Sequence, residues 1–214
     1  HALVEFRDYL KNLLEQRKQA PGDDLITALF QAEENGFRLS DQEIIDTCML
    51  IFSDGVENVD SGIGNCLLSL LENPPVLERL KQNSGLISGV VEESLRINPP
   101  GQFISKIAKE NFELHGKQIK QHEAVILVLA SANRDELVFE NPDTFIPERD
   151  NTQQLAFGRG RHACIGASLA KMQIEVAINS LVSHFSDIQA DLDKLEWDAR
   201  IGHRWLKSLP VSFS

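Results

Sequence analysis

Cys164 lies within AFGRGRHACIGASLA, residues 156–170, which gathers three glycines, two arginines and a histidine ahead of an apolar helical pattern. That pattern, Cys164 to Phe185, predicts a helix with Ile165, Gly166 and Ala167 in its first turn. Unpaired N–H groups and the macrodipole at a helix start stabilise a thiolate, the reactive form of the side chain. Gly158, Gly160 and Gly166 permit unusual dihedrals and close backbone approach to something flat or bulky. The alternative is a buried structural cysteine behind a glycine turn. Cys48 and Cys66 sit in apolar helical surroundings and read as buried free thiols.

Most of the elements that must position this loop are helical. Leu3, Phe6, Leu10, Leu13 and Leu14 recur at helical spacing over residues 3–18, and Pro21-Gly22 ends that segment. Residues 23–32 read as a second short helix, closed by Asn35-Gly36. Ser40-Asp41-Gln42-Glu43 is a capping box that opens a helix running to Leu71, about 45 Å long if unbroken. Asn73-Pro74-Pro75 stops it, with Pro75 suited to the first turn of the next helix. Residues 86–97 form another helix, ended by Asn98-Pro99-Pro100. Short strands are predicted at Phe103–Ile107, Phe112–Leu114 and Val125–Leu129, with His115-Gly116 as a turn. Residues 131–160 carry loop signals, and Trp205–Phe213 alternates like an edge strand or two. The fold class is mainly α with a small β element, and residues 1–214 are expected to form a single domain.

The chain has 214 residues, 42% of them hydrophobic and 25% charged, as in an ordinary water-soluble protein. Its net charge of -11 argues against nucleic-acid binding and against an anionic membrane surface. There is no membrane-length apolar run and no signal-peptide pattern. Three cysteines without framework spacing suit a reducing cytoplasm. The chain opens on His1 and enters a helical pattern at once, which points to a piece of something longer.

Phe157-Gly158-x-Gly160-x-His162-x-Cys164-x-Gly166 resembles the haem-binding loop of the cytochrome P450 family. Six fixed positions within ten residues would arise by chance on the order of once in a million chains. The resemblance implies a haem b cofactor with Cys164 as the axial thiolate on iron, a ligand that favours O–O cleavage. It implies that Phe157 packs on the proximal side of the porphyrin, that Gly158 and Gly166 allow close approach, and that His162 bonds a propionate. Arg159 and Arg161 would lie near a proximal docking patch. Glu93-Ser94-Leu95-Arg96 is similar to the family's E-x-x-R. Phe145-Ile146-Pro147-Glu148-Arg149 resembles the segment that supplies its third member, Arg149. A carboxylate between two arginines suits a buried lock between helix and loop. Ala132-Asn133-Arg134-Asp135 and Leu206-Lys207-Ser208-Leu209-Pro210-Val211 also resemble family stretches. Lys106 stands where relatives usually carry a propionate-contacting arginine, and keeps the charge but not the fork.

Asp54-Gly55-Val56-Glu57-Asn58-Val59 lines up with the oxygen-binding kink of the family's long helix. Gly55 would allow close approach over the haem, a local distortion would admit water to the ladder, and Glu57 matches the acid of the proton relay. The usual threonine pair is replaced by Asn58 and Val59, and an amide donates well but relays protons poorly. The resemblance covers the C-terminal half of the family fold, including the long oxygen-binding helix and the haem-thiolate loop. It implies a monooxygenase acting on a small organic substrate with dioxygen and electrons from a ferredoxin- or flavodoxin-type donor. A complementary N-terminal chain or a second copy would complete the pocket. The alternatives are peroxide-driven chemistry or hydroperoxide rearrangement, and a non-enzymatic half-length haem-binding or scaffold protein.

Overall fold

The computed structural model describes all 214 residues. Their contacts gather into two units, His1–Glu57 and Asn58–Ser214. In the first, α1 (Ala2–Gln19) buries Leu10 and Leu14 and carries Arg17 and Lys18 in its last turn, where cations complement the helix dipole. Asp24 caps α2 (Leu25–Gln31) by accepting the Thr27 amide at 2.9 Å, so that helix begins two residues later than its sequence pattern suggests. β1 (Glu33–Glu34) and β2 (Phe37–Arg38) form a small hairpin, its turn made by Asn35 and Gly36 at φ 54° and 82°. Leu10, Leu14, Ile26, Ile44, Ile45 and Cys48 make this unit's core.

α3 (Asp41–Leu71) opens on the capping box: the Ser40 amide donates to Glu43 Oε2 at 2.8 Å and the Glu43 amide to Ser40 Oγ at 3.3 Å. The helix is unbroken through Gly55, where the sequence predicts a distortion. A lone glycine weakens a helix without obliging it to kink.

The second unit is built on the later turns of α3 with α4 (Pro74–Gln82), α5 (Ile87–Ile97) and, further on, α7 (Ala167–His184). Cys66, Leu70, Leu77, Leu80, Val90, Val91, Ile174 and Ile178 interlock between them. Between α5 and α7 lie two antiparallel pairs: β3 (Ile104–Ile107) with β6 (Ala124–Leu127), and β4 (Phe112–Leu114) with β5 (Lys117–Ile119). The strand predicted to reach Leu129 stops at Leu127, and residues Leu129–Ala132 form a single helical turn, α6. After α7, β7 (Ile188–Ala190) pairs with β10 (Val211–Phe213) and β8 (Glu196–Trp197) with β9 (Leu206–Ser208). Asn65 of α3 ties the C-terminal segment down, donating to the carbonyls of Asn98 at 3.1 Å and Arg204 at 2.9 Å.

Candidate functional site

One constellation is charged and centred on two wholly buried side chains. α5 presents Glu93 and Arg96 one turn apart, both 0% exposed. Arg96 grips the carboxylate with two prongs, Nε to Oε2 and Nη2 to Oε1, each at 2.8 Å. Arg149 adds Nε to Oε1 at 3.0 Å, the Ile146 amide reaches Oε1 at 2.9 Å, and Asn151 Nδ2 reaches Oε2 at 3.1 Å. Burial alone would raise the Glu93 pKa, but the bonds from Arg96, Ile146 and Arg149 outweigh it and hold the carboxyl below its usual range. Arg96 then spends its other donors on main-chain carbonyls, Asn133 O at 2.8 Å and Pro142 O at 2.7 Å, with Phe139 under the guanidinium. Arg149 likewise reaches the carbonyls of Glu140, Asn141 and Thr144. The loop comes this close because Gly89 has no Cβ: one would stand 2.2 Å from the Pro147 carbonyl oxygen.

Cys164 stands three residues before α7, not within its first turn. Gly166 is the N-cap, and the pattern that runs back to Cys164 is interrupted by Gly166 itself. The Cys164 amide donates to Phe157 O at 2.9 Å and closes the loop into a ring of main chain. Gly158 and Gly160 turn it with φ of 68° and 84°, whereas Gly166 has an ordinary φ of -86° and needs no special freedom. Nor does space demand a glycine there, since a Cβ on Gly166 would meet only Cys164 Sγ, at an ordinary contact distance of 3.8 Å. Residues Gly160–His162 form one 3-10 turn with His162 exposed at its end. The Cys164 thiol is exposed, and Phe157 is half-buried against the main core.

The structure thus brings Phe157, Gly158, Cys164 and Gly166 into one loop and gathers Glu93, Arg96 and Arg149 into one cluster. Lys106 is elsewhere, on the exposed strand β3 opposite Val125, and shares no hydrogen bond with the loop. Gly55, Glu57 and Asn58 follow one another on α3, Gly55 and Glu57 exposed and Asn58 half-buried. Sequence reasoning missed Asn133 as a working part: its carbonyl receives Arg96, and its Oδ1 accepts the Leu155 amide at 2.7 Å. It also missed Glu92, Gln154 and Lys171, which meet beside Phe157. An acid and a base 79 positions apart in sequence leave no local signal.

The cytochrome P450 family model matches residues 1–197, and the chain belongs to that family. A cytochrome P450 of Bacillus subtilis is 38% identical over the whole chain, which spans 53% of that relative. The solved structure of the polyketide synthase cytochrome P450 PksS from Bacillus subtilis superposes with a TM-score of 0.96 at 37% identity, over 100% of this chain and 56% of its own. P450BioI, solved with an acyl carrier protein bearing hexadec-9Z-enoic acid, gives 0.92 at 36% identity, over 99% and 54%. The chain spans about half the length of the curated relatives it matches. No helix is long and apolar enough to cross a membrane.

The residues present fit the haem this family uses. An exposed thiol sits among three positions without Cβ, nothing crowds Gly160 within 4 Å, and an aromatic ring flanks the loop.

Proposed function

We propose that the chain is the haem-thiolate portion of a P450 monooxygenase that oxidises a small organic substrate. Electrons would come from a ferredoxin- or flavodoxin-type donor, in the cytoplasm. The observation that carries this reading is the exposed Cys164 thiol on a glycine-turned loop next to a fully bonded Glu93–Arg96–Arg149 lock. When bound, haem b supplies an iron centre for dioxygen activation. Cys164 Sγ would be its protein ligand, Phe157, Gly158 and Gly166 the surface that receives it, with His162 as a hydrogen-bond partner and Lys106 as a positive charge for its propionates. Glu93, Arg96 and Arg149 act at a distance, holding the loop's shape.

On α3, Gly55 leaves a gap in the side-chain surface, Glu57 can hold a proton on its carboxylate, and Asn58 can donate from its amide but not pass a proton on. That substitution favours a second reading, in which the chemistry is peroxide-driven or a hydroperoxide rearrangement and proton delivery matters less. Substrate identity stays at the level of an organic molecule. The acyl carrier protein on one solved relative supports a carrier-borne acyl chain as one form of it.

The test is the ferrous–carbonyl absorption spectrum of the purified chain after haem loading, alongside its solution mass. A thiolate-type Soret band that vanishes in Cys164→Ser supports the reading, and a band that survives the substitution overturns the ligand assignment. Absence of haem uptake would favour the scaffold alternative.

A further inference from the structure

Glu92 and Glu93 are neighbours on α5, yet their carboxylates serve different segments. Glu93 holds residues 146–151, while Glu92 accepts from Lys171 Nζ of α7 and from Gln154 Nε2 at 2.8 Å. Gln154 passes the contact on: its Oε1 accepts the Ala156 amide at 3.0 Å. The next residue is Phe157, whose carbonyl receives the Cys164 amide at 2.9 Å. The Lys171 ammonium meanwhile lies 5.6 Å from the centroid of the Phe157 ring, within range of the attraction between a cation and an aromatic face. These groups line a groove of about 500 Å³. A continuous series of bonds therefore leads from α5 to the main chain of the cysteine through carboxylate oxygens that the Glu93 lock does not use, although the two meet at Leu155, whose amide bonds Asn133.

We propose that Glu92, Gln154 and Lys171 are positioning residues that hold Phe157 and the Cys164 main chain in register. Their purpose, presenting Sγ to iron, rests on the haem-thiolate reading, but their effect on the loop does not. The Lys171 and Glu92 side chains are 31% and 28% exposed, sheltered enough for a charge-assisted bond to outlast screening by water. Lysine here carries two jobs, one charge shared between a carboxylate and a ring. A substitution that removes the charge frees both partners together.

Amide hydrogen exchange of the haem-free full chain tests this directly, because the Cys164 amide reports the loop and the Ile146 amide reports the Glu93 lock. In Lys171→Met and Glu92→Gln, Cys164 should exchange about fivefold faster, the factor that corresponds to losing roughly 1 kcal/mol, with Ile146 unchanged. Lys171→Arg should restore slow exchange. Unchanged exchange at Cys164, or a parallel rise at both amides, would overturn the proposal, the second outcome marking general loosening. Equal rates in Arg and Met variants would remove the charge from it. On haem-loaded protein the same variants should show part of the ferrous–carbonyl band moved from thiolate-type to thiol-type. A wild-type chain without a thiolate band would count against the haem reading and leave the exchange result standing.

Discussion

Both oxygens of the Glu93 carboxylate are bonded, and its two arginine partners go on to pin main-chain carbonyls from Asn133 to Thr144. Cys164, by contrast, shows its sulfur at the surface of a loop held by a few main-chain bonds, among them its own amide to Phe157 O, and turned by two glycines at positive φ. One region is dry and over-determined, and the other is open and defined by little of its own. The fold concentrates its polar bonds where geometry is set, and keeps them away from the atom that must stay available. A ligand atom needs room, and the rigidity it requires can be imposed from the flanks.

Cys164→Ser should be the most severe change in function and the mildest in stability: complete loss of a thiolate-type spectrum with an unfolding midpoint close to wild type. Removing Arg96 should do the reverse. Arg96→Met leaves a buried carboxylate short of its main partner, a loss of about 3–5 kcal/mol on general experience with buried pairs, to be read from urea unfolding. The acid limb of stability sharpens the same contrast. Glu93 titrates below the ordinary glutamate range when folded, so its contribution is complete above that range and is lost as pH falls through the lowered value. The stability gap between wild type and Glu93→Gln should therefore narrow on acidification. The smallest effects separate glycines within the loop. Gly158→Ala, at φ 68°, should cost about 1–2 kcal/mol, while Gly166→Ala, at φ -86° with only Cys164 Sγ near, should cost almost nothing by the same unfolding measurement.

Much of this arrangement could be read from side-chain types. The capping box at Ser40–Glu43 located the start of α3, and Asn73-Pro74 its end. Glu93, Arg96 and Arg149 were found through their resemblance to family stretches, since an acid and a base three apart on a helix would alone read as a surface pair, and the structure supplies the bonds among them. What stayed hidden has common causes. Asn133 acts partly through its carbonyl, a group every residue owns, so its type does not announce the role. Glu92 and Lys171 meet only after folding. The start of α7 was misplaced because Cys164 and Ile165 extend the apolar pattern back across Gly166, which is the N-cap. β1, β2 and β8, at two residues each, are too short for alternation to register.

The three thiols differ in a way that has practical reach. Burial pushes the Cys66 thiol up to about 12 and raises Cys48 as well, helped by the negative charge of Asp24, while Cys164 alone is exposed. Since thiolates are what electrophiles capture, a maleimide dye or nitroxide added near neutral pH should attach at one position of the native sequence. The haem-free chain thereby comes with a built-in labelling handle on its cysteine loop, and competition between label and haem would give an optical titration of the site.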